Sequence, residues 1–567
     1  MATASHIDGT RFAALAGVLR REAESGPTDE TKAVRVCHGI YSVRGQPGRY
    51  VVRIRVPAGM LTADQLETVA TLTAAAGWKE GAHLTTRQGI EIAGVPAERV
   101  VDFLQRLEEA GLTTTRTGGN VVRGVVCCPL AGVADGEFFD VTPFALAVDQ
   151  YFREHPDFQR MPRKIKIAFE GCTHDHVRTL VADIGVRAIR RDGQKGFRMV
   201  VGGGLGASPK AAQVLEEFVP VEHLPVTLEA VIRVFDRHGD RTNRAHARLK
   251  WLLDDWGIEH LRNEIVAERT RLLARSAPPL ILPPVIEGRG NPRVTTAILS
   301  GPAAYEAWRQ SNVRPQRQRG LATVYVRCPQ GDLQPAQLLR VAEAARQFAG
   351  GIRTSIDQNL VLRWVPETAL PALHEFLSPA GLAGYCAEQL LDVTRCVGAT
   401  ACLSAITNPK PAAEKIVAAI EKNLARDPTL QGLRIRVSGC PNSCSHHHAA
   451  DIGLYGVSRQ IHGRPVPHYV LLLGGASSAE AFGARVTEIP ALRVAEAVEQ
   501  TLEFYQTERA SGENFTAFVN RIGLARVRQR LEPLTRAGEP ETEPALYRDL
   551  GAERQFKVEA QRGECAA

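Results

Sequence analysis

Four cysteines stand in an open spacing, Cys396-x5-Cys402 followed by Cys440-Pro-Asn-Ser-Cys444. Four thiolates suit an iron-sulfur cluster or a zinc ion. Structural zinc usually sits between tight C-x2-4-C knuckles, and C-x5-C is too open for one, which favours a cluster. A second group is basic. Lys164-Ile-Lys166-Ile-Ala-Phe alternates, so as a strand it sets both ammonium groups on one face. Two neighbouring ammonium groups repel unless an anion lies between them, although a solvated strand face carries the same pattern. Gly202-Gly-Gly-Leu-Gly206 lacks the GxGxxG spacing and reads as close backbone packing. His446-His-His448 reads as support around the cysteine loop.

These residues lie in a duplicated chain. Arg53-Ile-Arg-Val-Pro-Ala-Gly59 with Gln65-Leu66 matches Val324-Tyr-Val-Arg-Cys-Pro-Gln-Gly331 with Gln337-Leu338, 272 residues later. Gly171-Cys172 and Asp183-Ile-Gly185 recur 268 residues later as Gly439-Cys440 and Asp451-Ile-Gly453. So long a period excludes a solenoid and predicts a pseudo-twofold pair of multi-element units around a shared cleft. Each unit opens strand, helix, strand, helix: Tyr50 to Val56 alternates, Thr62 with Gln65 forms a capping box, Leu84 to Ile92 alternates, and Pro96 starts a helix that Gly111 ends. Pro278, Pro279, Pro283 and Pro284, followed by Gly288 and Gly290, predict an extended crossover. The last twenty or so residues read as loosely packed. The first copy has Cys172 opposite Cys440 and His176 opposite Cys444. At the 272-residue offset it has Gly124 and Leu130 opposite Cys396 and Cys402. A cofactor ligated by one half explains why only that half keeps four cysteines.

Composition narrows the class. The chain has 567 residues, 44% hydrophobic and 23% charged, which is globular and long enough for about four compact units. No run of about 18 apolar residues is present, and Met1 to Ser25 reads as an amphipathic helix rather than a secretion signal, so a cytoplasmic protein without a membrane partner is expected. Eleven cysteines suit metal ligands and buried thiols better than disulfides. The net charge of +7 favours an anionic ligand or an acidic partner. Nucleic acid is disfavoured by the absence of long basic runs and by 6% aromatics. A zinc-containing nucleic-acid-binding protein remains the reading from another class, and it leaves the lysine pair unexplained.

The cysteine set with Gly439-Cys-Pro-Asn-Ser-Cys444, together with Thr85-Thr-Arg-Gln88 and Pro162-Arg-Lys-Ile-Lys166, resembles the assimilatory sulfite and nitrite reductases, which couple sirohaem to a [4Fe-4S] cluster. The likeness runs from about residue 36 to about 535. It implies an α+β fold in which each copy is a ferredoxin-like unit followed by a larger α+β domain. The expected segments are an N-terminal piece (1–45), ferredoxin-like unit one (46–115), a sirohaem- and substrate-facing domain (116–275), the crossover (276–315), ferredoxin-like unit two (316–382), a cluster-ligating domain (383–535) and a tail (536–567).

By the same resemblance Cys396, Cys402 and Cys440 hold the cluster, and Cys444 both ligates it and serves as the axial thiolate of the sirohaem iron. Arg87, Arg123, Lys164 and Lys166 fall on the distal face of the haem. There the arginines suit oxyanion binding and the lysines proton delivery. Gln88, Arg163, Asn442 and Asn359 fall where the sirohaem carboxylates need donors. Both substrates accept six electrons at the same cofactor. Nitrite-selective members tend to carry asparagine where this chain has Lys166, so sulfite is expected, with nitrite as the alternative. No flavin or nicotinamide domain is evident, so electrons come from a ferredoxin or a flavoprotein, and the basic balance suits an acidic ferredoxin. Cys37, Cys127, Cys128, Cys172, Cys328, Cys386 and Cys565 are expected only to pack.

Overall fold

Thr62 opens the helix Ala63–Ala76 as its capping pattern predicts: Thr62 Oγ1 accepts from Gln65 N at 3.1 Å, and Gln65 Oε1 accepts from Thr62 N at 3.0 Å. In the second copy, Pro335–Phe348 starts at Gln334, whose N donates to Gln337 Oε1 at 2.9 Å. The buried faces of these helices, Leu66 and Val69 on one and Leu338 and Val341 on the other, join a single core shared by both copies. The computed structural model describes residues 9–275, 280–288, 301–425, 427–476, 478–561 and 563–564.

The strands explain why the copies cannot be separated. The first sheet runs Ile40–Ser42, Arg49–Ile54, Ile90–Pro96, Ala82–Leu84, and is completed by Asp332–Leu333 from the second copy. Its counterpart runs Val313–Pro315, Leu321–Val326, Leu360–Pro366, Gly351–Thr354, and is completed by Met60–Leu61 from the first. Leu333 faces Ala82 and Leu61 faces Ile352, so each copy closes an edge of the other. The two larger domains also match. In each, two parallel pairings are followed by two antiparallel ones: Val126–Cys127 through Gln213–Pro220 in the first, Thr394–Arg395 through Ala484–Pro490 in the second. Each has its own apolar core.

The ladders correct one comparison made from sequence. Val126 pairs with Ala168, and Thr394 and Arg436, each 268 residues after its counterpart, pair in the same way. Copy two has two fewer residues between Ile54 and Ile90 and two fewer between Pro96 and Val126, so the offset falls from 272 to 268 before the cysteines are reached. Cys396 therefore corresponds to Cys128 and Cys402 to Ala134, in place of Gly124 and Leu130.

Two further expectations are altered. The alternation from Leu84 to Ile92 is two strands, Ala82–Leu84 and Ile90–Pro96, joined by a turn in which Thr85 Oγ1 accepts from Arg87 N at 3.3 Å and Gly89 N at 3.1 Å. Most of the tail is exposed from residue 551 to 561, as expected of a loosely packed end, but it is anchored on both sides of that stretch. Leu546, Tyr547 and Leu550 are buried, and Glu564 accepts from Arg35 Nη1 at 3.0 Å, Arg35 Nη2 at 2.8 Å and Ser42 N at 2.8 Å. Pro283 and Pro284 lie outside helix and strand, and the crossover is tied down where Glu287 pairs with Arg353 at 3.1 Å and Arg363 at 3.0 Å. Pro278, Pro279, Gly290, Cys565 and the first eight residues of the N-terminal segment lie outside the described residues. No helix among the described residues is long and apolar enough to cross a membrane.

Candidate active site

A cavity of about 580 Å³ lies where the two copies meet. The turn after Ala82–Leu84 contributes Thr85 and Thr86; the segment before Ile167–Glu170 contributes Arg163, Lys164 and Lys166; the cysteine loops contribute Cys396, Cys402, Cys440, Asn442 and Cys444. Thr86 Oγ1 donates to the Cys444 carbonyl at 2.7 Å, so a turn of one copy fixes the backbone of a cysteine in the other.

Local backbone demands set the cysteine loops. Cys396 follows the short strand Thr394–Arg395, and Cys440 follows Ile435–Ser438 in the same sheet. Gly439 N donates to Cys396 Sγ at 3.2 Å, and a Cβ on Gly439 would lie 2.5 Å from Thr407 O, so only glycine allows the loops to approach. Burial first, then the neighbouring Cys444, pushes the Cys396 thiol up to about 11, and burial with Cys444 and Cys396 pushes Cys440 up as well. Thiols that suppress one another's ionisation in this way become thiolates only with a metal among them.

The opposite wall is cationic. Burial and then Arg123 and Lys166 hold the Lys164 ammonium well below the usual lysine range; burial and then Arg87 and Arg248 bring Lys166 to about 7. Neither ammonium has a hydrogen-bond or carboxylate partner among the described residues. The nearby carboxylate, Asp183, is committed to Arg248, accepting from its Nε at 2.9 Å and Nη2 at 2.7 Å, and from Lys166 N at 2.8 Å. A buried wall in which cations outnumber the one nearby carboxylate fits a polyanionic group such as a haem bearing many carboxylates, with thiolates opposite for a metal.

The predicted site residues divide. Arg163, Lys164, Lys166, Asn442 and the four cysteines line the cavity. Arg87 and Arg123 stand behind that wall, held by backbone carbonyls: Arg87 Nη2 donates to Gly124 O at 2.5 Å, and Arg123 donates to Thr117 O at 2.6 Å and Gly119 O at 2.8 Å. Burial and Arg123 lower Arg87 to about 9. Gln88 and Asn359 are fully buried away from the cavity. Gln88 bonds Cys127 and Thr354, and Asn359 Nδ2 donates to Asp392 Oδ2 at 2.6 Å. His448 bonds Gly206 O at 2.9 Å, while His446 and His447 are buried in packing.

Sequence reasoning missed Thr86, the segment containing Arg244, His246, Arg248 and Lys250, and the tail residues Gly563 and Glu564, all of which line the cavity. The basic spacing Arg244-x3-Arg248-x-Lys250 is a legible signal, but only the tertiary fold turns it toward the cysteines.

Comparisons with known proteins agree with this arrangement. The family described as nitrite and sulphite reductase 4Fe-4S domain matches residues 118–272 and 386–537, and the nitrite/sulfite reductase ferredoxin-like half domain matches 43–110 and 314–380. A ferredoxin–nitrite reductase of Synechococcus elongatus is 30% identical over 444 residues, 77% of this chain and 82% of its own length. An assimilatory ferredoxin-dependent nitrite reductase of Haloferax mediterranei is 28% identical over 522 residues, covering 88% of this chain and 86% of its own. Among solved structures, the NirA protein of Mycobacterium tuberculosis shares the fold with a TM-score of 0.77 at 24% identity, over 91% of this chain and 95% of that one.

Proposed function

The chain belongs to the nitrite and sulphite reductase family, and from that premise we propose that it reduces nitrite to ammonium with electrons from a ferredoxin. Its cofactors are sirohaem and a [4Fe-4S] cluster. The choice of nitrite is carried by the curated relatives, which are ferredoxin-dependent nitrite reductases matched over most of their length. It displaces the sulfite expectation. Sulfite stays as a second reading because Lys166 favours it.

When bound, the cofactor pair supplies the iron that holds the substrate and the route by which electrons arrive. In this reading Cys396, Cys402 and Cys440 ligate the cluster, Cys444 serves both groups, and Thr86 keeps the Cys444 backbone in place. Arg163 and Asn442, on the cavity wall, are the donors for the macrocycle's carboxylates.

Turning nitrite into ammonium and two waters consumes six electrons and eight protons, so each departing oxygen needs an acid beside it. Lys166, which burial and the neighbouring cations bring to about 7 without the cofactor, and Lys164 on the same wall are the acids placed to supply those protons. The anionic macrocycle raises both, which keeps them charged while substrate binds. Arg87 and Arg123 remain charged behind the lysines and add a field that draws in the anion. The excess of seven positive charges suits an acidic ferredoxin.

Ferredoxin-driven turnover tests the reading. The expected result is one ammonium formed for every six reduced ferredoxins consumed, and nitrite loss without ammonium would refute it.

A further inference from the structure

Copy one has its own ligand set at the position of the cysteine loops. Strand register places Cys128 where copy two has Cys396, Cys172 where it has Cys440, and His176 where it has Cys444. Ala134 replaces Cys402 and cannot ligate. Glu170, at the position of Ser438, enters instead, and the ligand atoms of Cys128, Glu170, Cys172 and His176 all lie within 4.8 Å of one another. None of the four lines the cavity described above.

Three of the six ligand-to-ligand distances are fixed by direct contacts and match a tetrahedron. Zinc bonds of about 2.3 Å to sulfur and about 2.0–2.1 Å to nitrogen or oxygen put two sulfurs about 3.8 Å apart, sulfur and nitrogen about 3.5 Å, and nitrogen and oxygen about 3.3 Å. Here Cys128 Sγ to Cys172 Sγ is 3.9 Å, Cys128 Sγ to His176 Nδ1 is 3.4 Å, and His176 Nδ1 to Glu170 Oε2 is 3.4 Å. The last is long for a hydrogen bond and right for two ligands of one ion.

The carboxylate is built into the site. The Glu170 side chain is fully buried, and besides Cys128 and His176 of the same cluster its partners are the backbone N–H groups of Cys172 at 2.9 Å and His176 at 2.6 Å, with no lysine or arginine paired to it among the described residues. A buried carboxylate needs a cation, and a zinc ion among these four ligands supplies it where otherwise a protonated His176 would. The two N–H donors also aim the carboxylate, as supporting contacts do around a metal ligand.

We propose that copy one binds a structural zinc ion through Cys128, Glu170, Cys172 and His176. The donor set, two sulfurs with one nitrogen and one oxygen, suits zinc among the divalent metals, and with all four positions filled the site is closed to substrate. The ion ties the loop after Ile167–Glu170 to the end of Val126–Cys127. That loop leads to Arg178, which reaches across to Asp357 of copy two at 2.6 Å, beside Arg436 at 2.9 Å. The zinc thus stiffens one copy where the cluster stiffens the other. This role is independent of which oxyanion is reduced.

The test is zinc analysis of the holoenzyme produced in zinc-supplemented medium, with X-ray absorption at the zinc edge, to which the iron cofactors are invisible. The expected result is about one zinc per chain with two sulfur neighbours near 2.3 Å. Cys172→Ser and His176→Ala should each lower the zinc content several-fold while iron per chain is unchanged. Wild-type protein without zinc, zinc lacking sulfur neighbours, or a Cys128–Cys172 disulfide in the wild type would overturn the proposal, whatever the variants do.

Discussion

Gln88 and Gln358 make mirrored contacts across the pseudo-twofold axis. Gln88 Nε2 donates to Cys127 O of its own copy at 2.9 Å and to Thr354 O of the other at 2.7 Å, while its Oε1 accepts from Cys127 N at 2.9 Å. Gln358 Oε1 accepts from Arg395 N of its own copy at 2.9 Å, and its Nε2 donates to Leu84 O of the other at 2.7 Å. Both are buried at positive φ in equivalent turns, 61° and 67°. Each therefore holds the strand preceding a cysteine loop against the opposite copy.

Gln358→Ala leaves two buried backbone groups unpaired, at about 1–3 kcal/mol each, so a loss of roughly 2–6 kcal/mol is expected. Denaturant unfolding followed together with visible absorbance measures it. A change within about 0.5 kcal/mol would mean that the glutamine does not hold the copies together.

Cys444→Ser removes the thiolate assigned to both cofactors, so the purified variant should lack haem absorption and most of its iron while keeping its far-UV circular dichroism. Normal haem bands in that variant would sink the shared-ligand assignment. Thr86→Val tests the support of that cysteine: a shifted haem band at retained cofactor content is expected, from loss of the bond to the Cys444 carbonyl.

Lys166→Ala should lower turnover by about a hundredfold or more at unchanged haem content, the loss typical for removing a positioned acid. An acid lysine is protonated below its folded value, so wild-type turnover is full there and falls as pH rises through it; burial and neighbouring cations bring that value to about 7 before the anionic cofactor raises it. The variant should lose this alkaline limb. An identical pH profile in both proteins would contradict the proton-delivery role.

Asp332 joins the copies differently. It pairs with Arg395, with Lys410 Nζ at 2.9 Å and with His83 Nδ1 at 2.9 Å, and these partners, Arg395 foremost, outweigh burial and hold its carboxyl below the ordinary range. The folded state thus binds a proton less readily than the unfolded one. The stabilisation is complete above the unfolded value of about 3.9 and is lost as pH falls through the folded value. Asp332→Asn should cost about 3 kcal/mol at pH 7, and the difference from wild type should shrink as pH falls below about 4. A pH-independent difference would show that shape rather than charge is at work.

The sequence made the duplication legible because the capping residues Thr62 and Gln65 and the Asp183-Ile-Gly185 repeat are local patterns. It also brought together the cysteines and the Lys164–Lys166 pair, whose spacing is chemical. The equivalence of Cys128 with Cys396 was hidden because two short deletions shift the offset, and only the parallel ladders Val126–Ala168 and Thr394–Arg436 fix the register. The exchange of Met60–Leu61 and Asp332–Leu333 between sheets escaped for a related reason: two-residue strands have no periodicity to read. Arg248 and Glu564 reach the cavity through tertiary packing, to which local composition is blind.

The most direct test of the central claim is the ratio of kcat/KM for nitrite to that for sulfite, measured with reduced ferredoxin on protein whose spectrum shows the haem. The account predicts a ratio above one. A wild-type ratio below one, on the same haem-loaded protein, would contradict it.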